Sequence, residues 1–185
     1  MKNITRTYQK PDIGRELVTS DQHFGHDNII KYCDRPQNHH DVMIDGWNEI
    51  VKDVDVVYHL GDYSLTNRDD TKMISDILNG TRHLVKGNHD RHSNEWYYDM
   101  GFESVGRENI ILVRSGITIV LSHRPVPTEE IMDYRQPYTT KVINIHGHVH
   151  NNGYEQENDN RYINVSVEET DYKPVYLDDI IAKYK

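Results

Sequence analysis

The chain is short of cysteine, of long apolar runs and of positive charge, and each shortage removes a class of function. Cys33 is its only cysteine, which excludes internal disulfides and a thiolate zinc cluster, and Cys33 itself reads as an ordinary helix residue. No segment approaches the roughly 20 consecutive apolar residues that a membrane-spanning helix needs. The opening Met1-Lys2-Asn3-Ile4-Thr5-Arg6-Thr7-Tyr8 lacks the apolar stretch of an export signal, so a cytoplasmic location is expected. With 21 Lys and Arg against 30 Asp and Glu, the net charge is -9. A long polyanion such as duplex nucleic acid would meet repulsion, and no local basic stripe offsets it.

What is present fits one globular domain spanning residues 1–185, with 36% hydrophobic and 28% charged residues. Short apolar runs at Glu16 to Ser20, Val54 to Leu60 and Arg82 to Lys86 read as strands. Between them lie helical patterns. Met43, Trp47, Ile50 and Val51 share one face with Asp41 as N-cap, and a second helix carries Met73, Ile74, Ile77 and Leu78 before an Asn79-Gly80 stop. The first half therefore alternates strand and helix, which predicts parallel strands joined by right-handed crossovers. The second half is strand-rich: Asn109 to Arg114 and Gly116 to Leu121 around a Ser115-Gly116 hairpin turn, then Lys141 to Ile145 and Tyr162 to Val167. A second sheet stacked on the first is expected, with Val175 to Tyr184 ending the chain as a strand or helix. Arg124 to Thr140, with three prolines and no clear period, is predicted to be an ordered loop over the site.

Five polar clusters close these apolar runs: Asp21-x-His23, Gly61-Asp62, Gly87-Asn88-His89-Asp90, His123 and His148-x-His150. Carboxylate, imidazole and amide oxygen suit divalent metals of intermediate hardness, and strand ends are where an α/β sheet gathers distant side chains. Singly, Asp-x-His and Gly-Asp are weak signals, since such residues also serve turns and local hydrogen bonds. His146, His148 and His150, alternating after a buried-looking strand, are poorly explained by packing. Jointly the clusters read as a two-metal hydrolytic site.

In this order the clusters match D-x-H, G-D, G-N-H-D/E, an isolated H and G-H-x-H, and the chain resembles the calcineurin-like metallophosphoesterase superfamily over Asp21 to His150. Ser20-Asp21-Gln22-His23-Phe24-Gly25-His26, followed by Asn28, looks like its small bacterial and phage members. The resemblance implies an α/β fold, a four-layer α/β/β/α sandwich with two mixed β-sheets. It also implies that Asp21, His23 and His150 hold one metal, Asn88, His123 and His148 the other, and that Asp62 bridges them. His89 corresponds to the family's non-ligand histidine, a proton donor to the departing alkoxide, so that Asp62, Asn88 and His89 carry the chemistry.

Two cations roughly 3.5 to 4 Å apart activate a bridging water for in-line attack on phosphorus. Asp90 is read as orienting His89. Arg124, His26 and Asn28 are read as phosphate contacts, the last two at a helix N-terminus. The expected cofactor is a pair of divalent ions, Mn²⁺ first, with Fe²⁺, Zn²⁺ or Ni²⁺ also suited to the donors. The expected partner is a small phosphorylated substrate, a diester ahead of a monoester, with long nucleic acid and membranes disfavoured and a homo-oligomer compatible with the composition. The competing readings are a phosphomonoesterase, a non-catalytic binding scaffold and a nucleotide sensor on the same fold.

Overall fold

The computed structural model of the protein describes residues 14–184; the opening segment read for an export signal lies outside them. In chain order the strands are β1 Glu16–Thr19, β2 Val56–His59, β3 Thr81–Val85, β4 Phe102–Gly106, β5 Ile110–Arg114, β6 Ile117–Ser122, β7 Lys141–His146, β8 Tyr162–Asn164 and β9 Val175–Tyr176. The α-helices are α1 Ile29–Cys33, α2 His39–Ile50, α3 Arg68–Ile77, α4 Asn94–Asp99 and α5 Leu177–Ala182.

Two mixed sheets result. The first runs β4-β3-β2-β1-β9, parallel except for antiparallel β9, and the second runs β5-β6-β7-β8, parallel except for the β5–β6 hairpin. Ser115 and Gly116, at φ 51° and 75°, turn that hairpin through the left-handed region its strand twist requires. Successive residues of β1 and β3 face opposite layers, so both must be apolar. Val18, Leu60 and Val85 pack inward against Ile119, Leu121 and Ile145 of the second sheet. Leu17, Val57 and Leu84 pack outward beneath Met43 and Trp47 of α2 and Tyr97 of α4. The outer face of the second sheet, Val120, Val142 and Tyr162, is covered by Val126 and by Ile131 in a 3₁₀ turn, Ile131–Tyr134. This α/β/β/α arrangement is the sandwich the sequence suggested, with its fourth layer reduced to that turn and its flanking loop. Among the described residues no helix is long and apolar enough to cross a membrane.

Several local expectations shift. The cap of α2 is Asn38 rather than Asp41, which lies in the first turn. On α3 the buried face is Thr71 and Ser75, whereas Met73 and Ile77 are exposed; the hydroxyls bond Ser64 and Tyr63 at 2.9 and 2.7 Å, so polar side chains hold this helix down. Both endings of the chain occur, a short strand and then α5. Helix α4 and strand β4 were not anticipated from the sequence.

Candidate metal centre

Each polar cluster lies just beyond the C-terminal end of a strand. Asp21 and His23 follow β1, Asp62 follows β2, Asn88 and His89 follow β3, His123 follows β6, and His148 and His150 follow β7. Backbone bonds stitch these loops together: Asp21 N–H to Gly61 C=O, His23 N–H to Asp62 C=O and Gly147 N–H to His123 C=O, each 3.0 Å. Two glycines are fixed by close approach, since a Cβ on Gly87 would stand 2.2 Å from Asp62 Oδ1 and one on Gly147 2.3 Å from Asp21 Oδ2. Asp21, His23, Asp62, His148 and His150 all hold positive φ, between 51° and 72°. Such backbone costs on the order of 1–2 kcal/mol per non-glycine residue and persists only where the surroundings enforce it.

The side chains form two donor groups. One donor atom each from Asp21, His23 and His150 lie within 4.8 Å of one another, and so do donor atoms from Asp62, His123 and His148. Asp62 joins the groups, because its Oδ2 is 3.4 Å from His23 Nε2 and 3.5 Å from His123 Nε2. Asn88 Oδ1 lies 3.0 Å from His123 Nε2. His123 Nδ1 lies 2.8 Å from the Leu60 carbonyl and donates to it in the tautomer that leaves the Nε2 lone pair toward the site.

The site buries polar atoms without partners and holds the histidines His23 and His148 neutral. Asp21 Oδ1 and both ring nitrogens of His23 are buried without a hydrogen-bond partner. Burial, reinforced by His150 and Arg35, pushes the His23 pKa down to about 2. Burial, and beyond it His123 and Arg124, push His148 down to about 4. Asp62 is pushed up to about 6 by burial and by Asp21, with His123 opposing. A divalent cation would take the idle lone pairs of imidazoles that burial keeps neutral, and would offset the burial that raises Asp62. The residues present therefore fit a metal centre.

A supporting shell was not legible in the sequence. The Arg35 guanidinium is fully buried and donates to the Asp21 and Gln22 carbonyls, both at 2.7 Å, and to Glu168 at 2.6 and 2.8 Å. Glu168 in turn receives His150 Nδ1 at 3.1 Å, which aims Nε2 at the site. Although burial disfavours the His150 imidazolium, Cys33 and Glu168 raise its pKa. Cys33, the buried last residue of α1, also sits beside this site histidine. Ser166 Oγ and the His148 N–H bond Asp21 Oδ2 at 3.0 and 2.8 Å, leaving Oδ1 free.

The remaining predicted residues divide. The His89 ring lies 5.2 Å from that of His23 and 6.2 Å from that of His26, facing the site but outside both donor groups. Asp90 does not bond the His89 imidazole. Its buried carboxylate takes the N–H groups of Asp62, Tyr63 and Gly87 and the Tyr97 hydroxyl, so it clamps the Asp62 loop to the Asn88 loop. Arg124 Nη2 reaches Asn88 Oδ1 at 3.5 Å. His26 stands at the rim, 5.5 Å from the His23 ring. Asn28 is exposed, lines a separate cleft with His39 and His40, and caps a helix of only five residues, too short for the anion site expected there.

Residues 16–171 match the model of the calcineurin-like phosphoesterase superfamily domain. The uncharacterized protein MJ1445 of Methanocaldococcus jannaschii is 34% identical over 174 residues, covering 89% of this chain and 88% of its own. The crystal structure of the Aquifex aeolicus protein of unknown function AQ665 superposes with a TM-score of 0.72 at 28% identity, covering 93% of this chain and 100% of that one. A structure described as a novel archaeal phosphodiesterase superposes with a TM-score of 0.49 at 19% identity, covering 82% of each chain. On the family match over residues 16–171, the chain belongs to the calcineurin-like phosphoesterase superfamily.

Proposed function

We propose that the protein is a phosphodiesterase that works with two divalent metal ions, Mn²⁺ first among them, on a small phosphorylated substrate in the cytoplasm. The observation that carries this reading is the placing of Asp62 Oδ2 between His23 and His123, 3.4 and 3.5 Å away, at the junction of two donor groups. One group, Asp21, His23 and His150, would hold one ion, and Asn88, His123 and His148 the other, with Asp62 shared. When bound, the pair would supply Lewis acidity toward phosphoryl oxygens and lower the pKa of water toward neutrality. Asp62 suits the shared position because its Oδ2 stands between the two groups and a carboxylate brings a negative charge that would offset repulsion between cations; a neutral imidazole brings none.

The other roles belong to the chain itself. His89, outside both donor groups, faces the site where a leaving oxygen must depart and donates the proton it needs. Its backbone N–H donates to Asp62 Oδ1 at 2.8 Å, coupling the proton donor to the shared carboxylate. Arg124, beside Asn88, and His26, at the opposite rim, bind nonbridging oxygens. The preference for a diester follows from the resemblance to small members of the family. The intact donor set favours catalysis over a scaffold or sensor, in which ligands need not be kept.

The test is turnover of bis-p-nitrophenyl phosphate against p-nitrophenyl phosphate by chelated protein reloaded with Mn²⁺, Fe²⁺, Zn²⁺ or Ni²⁺. The reading expects metal-restored turnover, faster on the diester. Equal rates would remove the diester preference, and inactivity with every metal would overturn the enzymatic reading.

A further inference from the structure

Beside the Asn88 and His123 half of the centre lies an open cleft of about 460 Å³. Lys86 follows β3, Arg107 follows β4 and Arg124 follows β6, so three strand ends deliver a cation each to its walls; Glu130 is its one acid. In a chain with 21 basic against 30 acidic residues this is a local inversion of sign. None of the three cations forms an ion pair among the described residues.

Each is nevertheless held. Lys86 Nζ donates to the His92 carbonyl and lies 5.0 Å from the Tyr97 ring centroid, so it supplies field from the floor rather than a mobile contact. Arg107 spends one N–H on the Asp90 carbonyl at 3.3 Å, and Arg124 reaches Asn88 at 3.5 Å. A guanidinium carries five N–H groups in a planar fork, so most of each fork is left for another acceptor. Arg124 is anchored on a proposed metal ligand and Arg107 on a loop carbonyl away from the donor groups, so the two forks are held by different elements of the cleft. Tyr134, whose hydroxyl accepts from Asn109 Nδ2 at 3.0 Å, and Pro125 line the same cleft. Unpaired cations gathered in one concave site raise the local concentration of anions, and an ordered aromatic face beside them accepts a planar ring.

We infer that this cleft is a subsite for a leaving group that carries its own phosphate, which makes the preferred substrate a nucleotide-type diester with a phosphate monoester next to the scissile bond. The inference rests on the phosphoesterase reading and deepens it: Arg124 meets the reacting phosphoryl group, Arg107 meets the second phosphate, and Tyr134 meets the base or sugar.

The experiment compares Mn²⁺-loaded hydrolysis of thymidylyl-thymidine with that of the same dinucleotide phosphorylated at its 3′ or 5′ end. Wild type is expected to favour one phosphorylated form, and Arg107→Gln to cut that preference about tenfold through KM, the loss typical of one charge-assisted hydrogen bond. Arg107→Lys recovers part of it, whereas Arg68→Gln, which removes the same charge from an exposed pair with Asp99, leaves the preference as in wild type. In parallel, calorimetry on chelated protein measures thymidine 3′,5′-bisphosphate binding, which Arg107→Gln should weaken by about the same factor. Equal preference and equal binding in wild type and Arg107→Gln would overturn the subsite while leaving the phosphoesterase reading intact. Weakened bisphosphate binding in a protein that hydrolyses no diester would support the anion cleft and overturn the phosphoesterase reading. If 1,3-propanediol bisphosphate bound as tightly as the nucleotide, the nucleoside part of the inference would fall.

Discussion

Glu168 is the residue whose replacement tests support of the fold and support of the centre together, because it holds both Arg35 and His150. Its carboxylate is buried between the fully buried Arg35 guanidinium and His150 Nδ1. Glu168→Ala leaves Arg35 a buried cation without its acid, and breaking such a pair costs about 3–5 kcal/mol. Arg35 retains the Asp21 and Gln22 carbonyls at 2.7 Å, which places the loss near about 3 kcal/mol. A domain stable by roughly 5–15 kcal/mol remains folded after it. Glu168→Gln keeps the shape and one acceptor oxygen but not the charge, and should lose about half as much. Glu168→Ala also releases His150 Nδ1, and loss of such an orienting partner weakens metal binding by about 10–100-fold; Glu168→Gln keeps an oxygen that accepts that N–H and should lose less. The assays are urea unfolding of chelated protein at pH 7 and calorimetric titration with Mn²⁺. The expected result is a lower urea midpoint with unchanged slope, together with weaker affinity for one ion. A Glu168→Ala protein with the wild-type midpoint and wild-type Mn²⁺ affinity would refute the reasoning.

Among ligand-position variants, Asp62→Asn should lose the most turnover, at least about a hundredfold and so more than an outer-shell partner costs; a smaller loss than that of His148→Asn measured in parallel would deny it the shared position. His89→Ala should slow hydrolysis of an alkyl diester by about 10²–10⁴-fold, and of a p-nitrophenyl diester far less, because nitrophenolate departs without a proton. Metal content should not change; its loss would make His89 a ligand. Burial, with His123 and Arg82, holds the His59 pKa down at about 3 against 6.5 for the free side chain, and Gly61 N–H donates to the His59 Nδ1 lone pair at 3.1 Å. A depressed pKa means that the unfolded chain takes up the proton first, so this contribution is complete above pH 6.5 and fades toward pH 3, by about 1.4 kcal/mol per unit within that window. His59→Gln should flatten the fall in urea stability of chelated protein between pH 6.5 and 5, and an unaltered slope would contradict the assignment.

The donor residues were legible in the sequence because each sits where an apolar strand ends, and a strand end admits few side-chain types once glycine closes the turn around it. The two sheets followed from the change in pattern between the halves. Glu168 and Arg35 were not legible: a site histidine implies some acceptor at its second nitrogen, but nothing in the spacing says which of 30 acids supplies it. Position 168 lies in a 3₁₀ turn and position 35 in a loop, without period. The buried face of α3 was missed because hydroxyl pairs rather than methyl groups anchor it. Asp90 was misread because turn aspartates usually act locally, whereas this one reaches back to residues 62 and 63.

Anomalous diffraction from crystals grown with Mn²⁺ tests the central claim most directly. Two peaks per chain are predicted, one among Asp21, His23 and His150 and one among Asn88, His123 and His148, both in contact with Asp62. A single peak, or peaks away from Asp62, would contradict it.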